Sequence, residues 1–251
     1  MELTVLGSGT AIPSPERASP GLLLQVADEY LLLDSGAGTL RQLARTGVSP
    51  GALDRVLYTH YHPDHIGDLP HLLFALRSPE FHRERSLWVG GPPGLRRHYH
   101  LLGELYGSWV AHLPFTLEFQ ELKEEILDFG HFRLTSCAVP HTDVSLAYRI
   151  DAHGGSLVYS GDTDYSEALI ELARGVDLLV LECAFPEGQK VKGHLSPSLA
   201  GEMAARAGVK ILLLTHFYPA CWGQDLMTPC RKQFPGQVLL AQDLMRLTVG
   251  A

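Results

Sequence analysis

Short runs of apolar residues recur along the whole chain and are separated by Gly, Pro, Asp and Ser. Runs of this length between turn-forming residues are typical of β-strands. Two segments of the first half, Thr39–Arg45 and Asp68–Leu76, carry apolar residues at helical spacing instead. The strands predicted for the first half are Leu3–Leu6, Leu22–Val26, Tyr30–Leu33 and Arg55–Tyr58.

The second half of the chain repeats this arrangement. Its predicted strands are Phe132–Ala138, Leu146–Ile150, Leu157–Tyr159, Leu178–Leu181, Ile211–Leu214 and Leu247–Val249, and its predicted helices are Ser166–Arg174 and Ser198–Ala207. Blocks of strands with helices between them, in two similar halves, predict an α+β fold with two sheets packed face to face and helices outside. The chain has no low-complexity segment and no linker-like change in composition, so we expect a single domain over residues 1–251.

Several predicted strands stop at a polar residue that apolar packing does not explain. These residues are Asp34, His60, His141, Asp162, Glu182 and His216. Loops at one edge of a sheet sandwich are where a functional site is assembled, so we expect these side chains to lie near one another.

The densest group of polar side chains is the segment Thr59–Gly67, in which six positions hold His60, His62, Asp64 and His65. Imidazole and carboxylate groups are good ligands for zinc, manganese or iron. His60 and His62 are two residues apart at the end of a predicted strand, so we expect their side chains to point from the same face of it. Pro63 ends the extended run and lets the next two side chains turn elsewhere. The segment therefore predicts ligands for two metal ions.

Three residues further along the chain complete such a set, although none of them is specific alone. His141 follows a strand and could be an ordinary exposed histidine, Asp162 could belong to a turn or a helix cap, and His216 could be a buried core histidine. Taken together, seven N/O ligands and no cysteine suit a dinuclear hydrolase. The first ion is assigned to His60, His62 and His141, the second to Asp64, His65 and His216, and Asp162 could bridge both.

Composition and charge exclude several other classes of protein. A net charge of −8 gives no general attraction to nucleic acid or to an anionic membrane. The N-terminus lacks the pattern of a signal peptide, and no apolar stretch has the length of a membrane span. The four cysteines form no CxxC pair, which argues against a disulfide framework or a structural zinc. We therefore expect a cytoplasmic protein that does not bind membranes.

The run Thr59-His60-x-His62-x-Asp64-His65-x-Gly67, followed by His141, Asp162 and His216 in order, resembles the signature of the metallo-β-lactamase superfamily. The resemblance extends over nearly the whole chain. It implies a four-layer αβ/βα sandwich with two divalent metal ions, zinc first and manganese or iron as alternatives, at the edge of the sheets.

Further motifs are similar to those of the ribonuclease Z-like branch of phosphodiesterases. They are the N-terminal loop Gly9–Arg17, the segment His141–Ile150, and Glu182–Phe185 with His194–Ser196. In that branch the glutamate orients the histidine, which donates a proton near the scissile phosphate. The resemblance therefore implies that Glu182 orients His194. A carboxylate partner keeps an imidazole oriented and more readily cationic, which suits a proton donor to an oxygen leaving group.

The hypothesis that follows is a phosphodiesterase in which a metal-bridged hydroxide attacks phosphorus, Asp64 accepts the proton of the water, and His194 protonates the leaving oxygen. Its expected substrate is a small-molecule or nucleotide phosphodiester. The sequence departs from ribonuclease Z, whose tRNA-binding arm lies between the third-motif histidine and the bridging aspartate. Here that interval ends in a hairpin turn, Asp151–Gly155, so tRNA 3′ processing is the less favoured activity.

Three alternatives stay open at this point. The same chemistry could act on a carbonyl group, as in a lactonase or thioesterase, or the protein could be a tRNA 3′-processing endoribonuclease after all. A protein with a vestigial metal site is the non-enzymatic alternative. Tyr106 and Trp109 fit core packing or a dimer face, so a homodimer is also left open.

Overall fold

The computed structural model describes residues 1–81 and 83–250. Within this part the chain forms fourteen strands and eight α-helices. The strands are β1 (Glu2–Gly7), β2 (Gly21–Val26), β3 (Glu29–Leu33), β4 (Arg55–Leu57), β5 (Leu87–Gly91), β6 (Leu117–Glu121), β7 (Ile126–Asp128), β8 (Phe132–Ala138), β9 (Leu146–Ala152), β10 (Gly155–Tyr159), β11 (Leu178–Glu182), β12 (Ile211–Thr215), β13 (Gln237–Leu240) and β14 (Arg246–Thr248). The helices are α1 (Thr39–Thr46), α2 (Pro63–Ile66), α3 (Leu69–Ala75), α4 (Leu95–Tyr106), α5 (Ser108–Ala111), α6 (Glu167–Leu172), α7 (Pro197–Ala207) and α8 (Met227–Gln233).

The strands form two seven-stranded sheets with matching organisation. The first has the order β14-β1-β2-β3-β4-β5-β6, and the second has the order β13-β12-β11-β10-β9-β8-β7. In the first sheet the pairs from β14 to β3 are antiparallel and those from β3 to β6 are parallel. In the second sheet the pairs from β7 to β10 are antiparallel and those from β10 to β13 are parallel. The parallel halves bring the carboxyl ends of β3, β4, β10, β11 and β12 to the edges from which the site is built.

Alternation along the strands divides the buried residues between two cores. Leu22 and Leu24 of β2 point into the larger core, which the two sheets share, whereas Leu23 between them packs with the helices on the outer face of the first sheet. Residues of α6 and α7, such as Leu169 and Met203, extend the larger core on the far side of the second sheet. The result is a four-layer arrangement of helices, sheet, sheet and helices, which confirms the predicted α+β sandwich.

Most predicted elements occur within one or two residues of their predicted limits, and two local details differ. Strand β4 ends at Leu57, so His60 and His62 lie in the loop beyond it and not at the end of the strand, although their side chains do point to the same place, as predicted. Pro63 opens the short helix α2 instead of only ending an extended run. None of the described helices is long and apolar enough to cross a bilayer. The single-domain organisation stays a prediction.

We expect the core between the sheets to dominate stability. Leu213 is fully buried in β12, between its neighbours β11 and β13. Replacing it with alanine should lower the free energy of unfolding by about 2–5 kcal/mol, because the lost contacts leave a cavity. The matched control is Ile126→Ala on the edge strand β7, where the side chain is 68 % exposed. Urea denaturation of both variants checks this, and equal losses would contradict the assignment of the core.

Candidate metal centre

Four side chains from three loops meet at one point of the sheet edge. His60 and His62 come from the loop after β4, His141 from the loop after β8, and Asp162 from the loop after β10. Nδ1 of His62 lies 3.1 Å from Nε2 of His141. Oδ2 of Asp162 lies 3.6 Å from Nε2 of His141 and 3.8 Å from Nε2 of His60. We call this group of four side chains the first cluster.

A second cluster lies next to it and contains Asp64, His65 and His216. The Nε2 atoms of His65 and His216 are 3.4 Å apart, and Oδ2 of Asp64 lies 3.5 Å from the latter. The other carboxylate oxygen of Asp162, Oδ1, lies 3.2 Å from His65 and 3.3 Å from His216. One carboxylate therefore turns one oxygen to each cluster, which is the arrangement expected of a bridging ligand.

Backbone geometry explains how these side chains come so close. His62 is extended and its carbonyl accepts the N–H groups of His65 and Ile66, so the first turn of α2 directs the next two polar side chains away from it. Gly161, at φ +55°, precedes the shared aspartate, and a Cβ there would lie 2.6 Å from Cβ of Thr59. Only glycine allows this approach of the two loops.

The buried carboxylate of Asp34 sets the protonation of two site histidines. Its oxygens accept hydrogen bonds from the backbone N–H and the hydroxyl of Thr59 and from the hydroxyl of Tyr159. Oδ2 also lies 2.7 Å from Nδ1 of His65, which therefore carries the proton. Because the Thr59 hydroxyl gives its hydrogen to Asp34, it accepts from Nδ1 of His60 at 3.0 Å. In their neutral form, both imidazoles thus direct the lone pair of Nε2 into the clusters.

His141 of the first cluster is held in the same electron-donating form. Nδ1 of His141 donates to the carbonyl of Gly193 at 2.8 Å, which leaves its Nε2 free. Burial lowers the pKa of His60, His62 and His141 below the ordinary value, and the charge of neighbouring imidazoles lowers it further. Neutral imidazole is the form that binds metal ions.

The charges of the second cluster favour a cation between the carboxylates. Burial alone would lower the pKa of His65, but the charges of Asp162 and Asp34 outweigh it and hold that pKa well above the ordinary value. The imidazoles of His216 and His65 in turn outweigh burial and hold the pKa of Asp162 well below its ordinary value. Asp64 is ionised for a similar reason: burial alone would raise its pKa, but the hydrogen bond with His216 and the charges of His65 and His216 together outweigh burial and lower it.

Two buried polar atoms support a metal ion at this place. Within the part of the chain that the structure describes, Nε2 of His60 and Oδ1 of Asp162 have no hydrogen-bond partner, although both residues are at most 3 % exposed. Leaving such atoms unpaired is costly, and one cation in each cluster would satisfy them. A set of imidazole nitrogens and carboxylate oxygens fits a divalent metal ion.

A third arrangement, the pair Glu182–His194, lies beside the clusters. Glu182 is fully buried at the end of β11, and its oxygens accept the backbone N–H groups of Thr163, Ala184 and Leu195. Its Oε1 also lies 2.8 Å from Nδ1 of His194. Burial alone would lower the pKa of this imidazole, but the hydrogen bond and charge of the carboxylate outweigh it, and the pKa is raised.

The ring of His194 lies within reach of the clusters. Its centroid is 4.9 Å from that of His141, and it stacks on His216 at 5.8 Å. Together with Asp162 and His216 it could also hold an ion, so its position alone allows either a ligand or a proton donor.

All the site residues predicted from the sequence therefore converge on one region, and a few contributors were not predicted. Asp34 was noted only as a polar strand end, and Tyr159 and the carbonyl of Gly193 carried no signal. The only local hint is the step from the buried run of β3 directly to an acidic residue. Both Asp34 and His216 have a positive φ, +57° and +63°, and such strained backbone is often found at functional sites.

Comparisons with known proteins agree with this geometry. The model of the beta-lactamase superfamily domain matches residues 29–217. Ribonuclease Z of Mycobacterium marinum is 33% identical over 278 residues, an alignment that covers 100% of this chain and 99% of the relative. Ribonuclease Z of Methanothermobacter thermautotrophicus is 29% identical over 308 residues, with 100% and 97% covered.

Solved structures extend the likeness to the whole architecture. The metallo-beta-lactamase fold protein YhfI from Bacillus subtilis superposes with a TM-score of 0.85 at 29% identity and covers 98% of each chain. The short form of human tRNase Z superposes with a TM-score of 0.83 at 26% identity and covers 100% of each chain. With the two His/Asp clusters and the Glu182–His194 pair, these likenesses show that the chain belongs to the metallo-β-lactamase superfamily, in its ribonuclease Z-like branch of metal-dependent phosphodiesterases.

Proposed function

We propose that the protein hydrolyses phosphodiesters at a dinuclear metal centre, with His194 as the proton donor to the leaving oxygen. The observation that carries the proposal is the buried Glu182–His194 pair placed directly beside two His/Asp clusters that share Asp162. The full-length similarity to proteins named ribonuclease Z supports the same chemistry.

The metal ligands in this proposal follow the two clusters. The first ion would be held by His60, His62 and His141, the second by Asp64, His65 and His216, and Asp162 would contact both. Zinc is the metal proposed first, because it accepts N/O donors at about four positions. Two such ions would supply Lewis acidity at the phosphoryl oxygens and lower the pKa of a water molecule.

The chain's own residues supply the proton transfers. Nδ1 of His194 is engaged by Glu182, so Nε2 is the nitrogen available to give a proton to the leaving oxygen. The raised pKa keeps this imidazole protonated over a wider pH range. Asp64 is ionised, 7 % exposed and part of the second cluster, so we assign it the proton released by the attacking water.

The proposed substrate is a small-molecule or nucleotide phosphodiester. Strands β9 and β10 are joined by two residues, His153 and Gly154, so no protruding arm is present between His141 and Asp162. A second candidate is tRNA 3′ processing, favoured by the names of the relatives, ribonuclease Z and tRNase Z. Hydrolysis of a lactone or thioester has less support, because a dedicated proton donor suits an alkoxide leaving from phosphorus.

Removing the shared carboxylate should disturb both ions. Purified wild-type protein should contain about two equivalents of metal, and Asp162→Ala should contain fewer than about one, because each ion loses a ligand. The control is Asp128→Ala, at an exposed aspartate of β7 whose carboxylate accepts the N–H of Gly130. Elemental analysis of folded protein gives the answer. Two full equivalents in Asp162→Ala would sink the bridging assignment.

The role of His194 predicts a dependence on the leaving group. His194→Ala should lower kcat by about 10²–10⁴-fold for a dinucleoside monophosphate, whose alkoxide needs a proton. The loss should be far smaller for bis(p-nitrophenyl) phosphate, because p-nitrophenolate leaves without one. His131→Ala, at an exposed histidine in the turn between β7 and β8, is the control.

Steady-state assays on metal-loaded protein, with metal content measured in parallel, decide between the possible roles of His194. Equal losses on both substrates would exclude the proton donor, and loss of metal would make His194 a ligand. Precursor tRNA and a homoserine lactone belong in the same set of assays. Turnover of the lactone without any phosphodiester would overturn the proposed function.

Glu182 should control the alkaline limb of the pH profile. Activity requires protonated His194 and is therefore lost as pH rises through the pKa of this imidazole. The carboxylate raises that pKa, so Glu182→Gln should move the alkaline limb to lower pH while the acidic limb stays in place. Profiles of kcat measured with a dinucleoside monophosphate test this, and an unchanged alkaline limb would assign it to another group.

A further inference from the structure

Two aromatic rings next to the Glu182–His194 pair have no role in the chemistry described so far. Phe185 follows β11 and Tyr218 follows β12, and because these strands are parallel neighbours, the two residues emerge side by side. Their rings are stacked, with centroids 4.9 Å apart and an angle of 14° between the planes. The backbone N–H of Tyr218 donates to the carbonyl of Ala184, which holds the two loops together. We call this pair the aromatic platform.

The aromatic platform lies next to His194, the proposed proton donor. The ring of His194 lies 5.7 Å from Phe185 and 6.0 Å from Tyr218, at 66° and 69° to their planes. The ring of Tyr218 is also 5.8 Å from the ring of His216 in the second cluster. A group attached to the oxygen that His194 protonates would therefore lie beside these rings.

Core packing does not account for the two rings. Both are only partly buried, and neither belongs to either core among the described residues. Two stacked and partly exposed rings offer an apolar, planar surface beside the site. Such a surface fits a planar group.

We propose that the aromatic platform binds the nucleobase carried by the leaving group, which makes Phe185 and Tyr218 specificity-determining residues. The inference rests on the proposed function and deepens it by naming the residues that contact this part of the substrate. A base stacked on an aromatic side chain gains binding energy through its π-face with little dependence on sequence.

The test compares substrates that differ only in one base. The probes are a dinucleoside monophosphate and two versions in which one or the other base is replaced by hydrogen. Wild-type enzyme should lose roughly tenfold in kcat/KM when the base on the leaving nucleoside is removed. Tyr218→Leu and Phe185→Leu should each reduce this preference toward one, whereas Tyr218→Phe keeps the ring and should keep the preference.

The control is Trp222→Leu, a half-exposed aromatic residue further along the loop that contains Tyr218, which should retain the wild-type preference. Equal kcat/KM for wild type with and without either base would overturn the inference, and this readout needs no variant. Loss of the preference in Tyr218→Phe would also overturn it, because the hydroxyl and not the ring would then be responsible. Bis(p-nitrophenyl) phosphate separates the two proposals. Turnover without a base preference removes only the aromatic platform, whereas no turnover of any phosphodiester removes the proposed function as well.

Discussion

The carboxylate of Asp34 is the interaction on which the rest of the site depends. It is fully buried, and it is held by Thr59 and His65 of the first half and by Tyr159 of β10 in the second sheet. A charge in this position is tolerable only because four donors surround it. The carboxylate of Asp34 connects the two sheets and determines which nitrogen of His60 and His65 faces the clusters. A neutral residue here would leave both imidazoles free to turn or to exchange tautomers.

This arrangement places an unusual amount of negative charge inside the protein. Asp34, Asp64, Asp162 and Glu182 are all at most 7 % exposed, and they lie near one another at the sheet edge. Backbone N–H groups and His194 satisfy Glu182, but the oxygens of Asp162 face only imidazoles. Such a group of carboxylates is stable when cations balance it, so metal binding and the stability of this edge should be linked. Asp34 and His216 also have a strained, positive φ, which is a further cost of placing these side chains at the sheet edge.

The two clusters could be predicted from the sequence because most of their residues lie within six positions and the others stand at polar ends of strands. The role of Asp34 could not, because its partners are 25, 31 and 125 residues away and a single aspartate after a strand resembles any turn. Helix α4 was missed for a different reason. Leu95, Tyr99 and Leu102 lie at helical spacing, but further apolar residues of α4 are exposed, so the apolar residues do not mark a single face. Strand β6 is only five residues long and has no fully buried residue, so its alternation is a weak signal.

Chemistry and substrate choice depend on different parts of this fold. The side chains of the two clusters and Glu182 follow the ends of strands that border two large cores, where a displacement would disrupt packing. The aromatic platform lies on connections instead, in the loops that carry Phe185 and Tyr218. A connection can change length or side chains without moving a ligand. A sequence motif therefore predicts the reaction well and the substrate poorly, and the residues next to the leaving group are where the substrate must be sought.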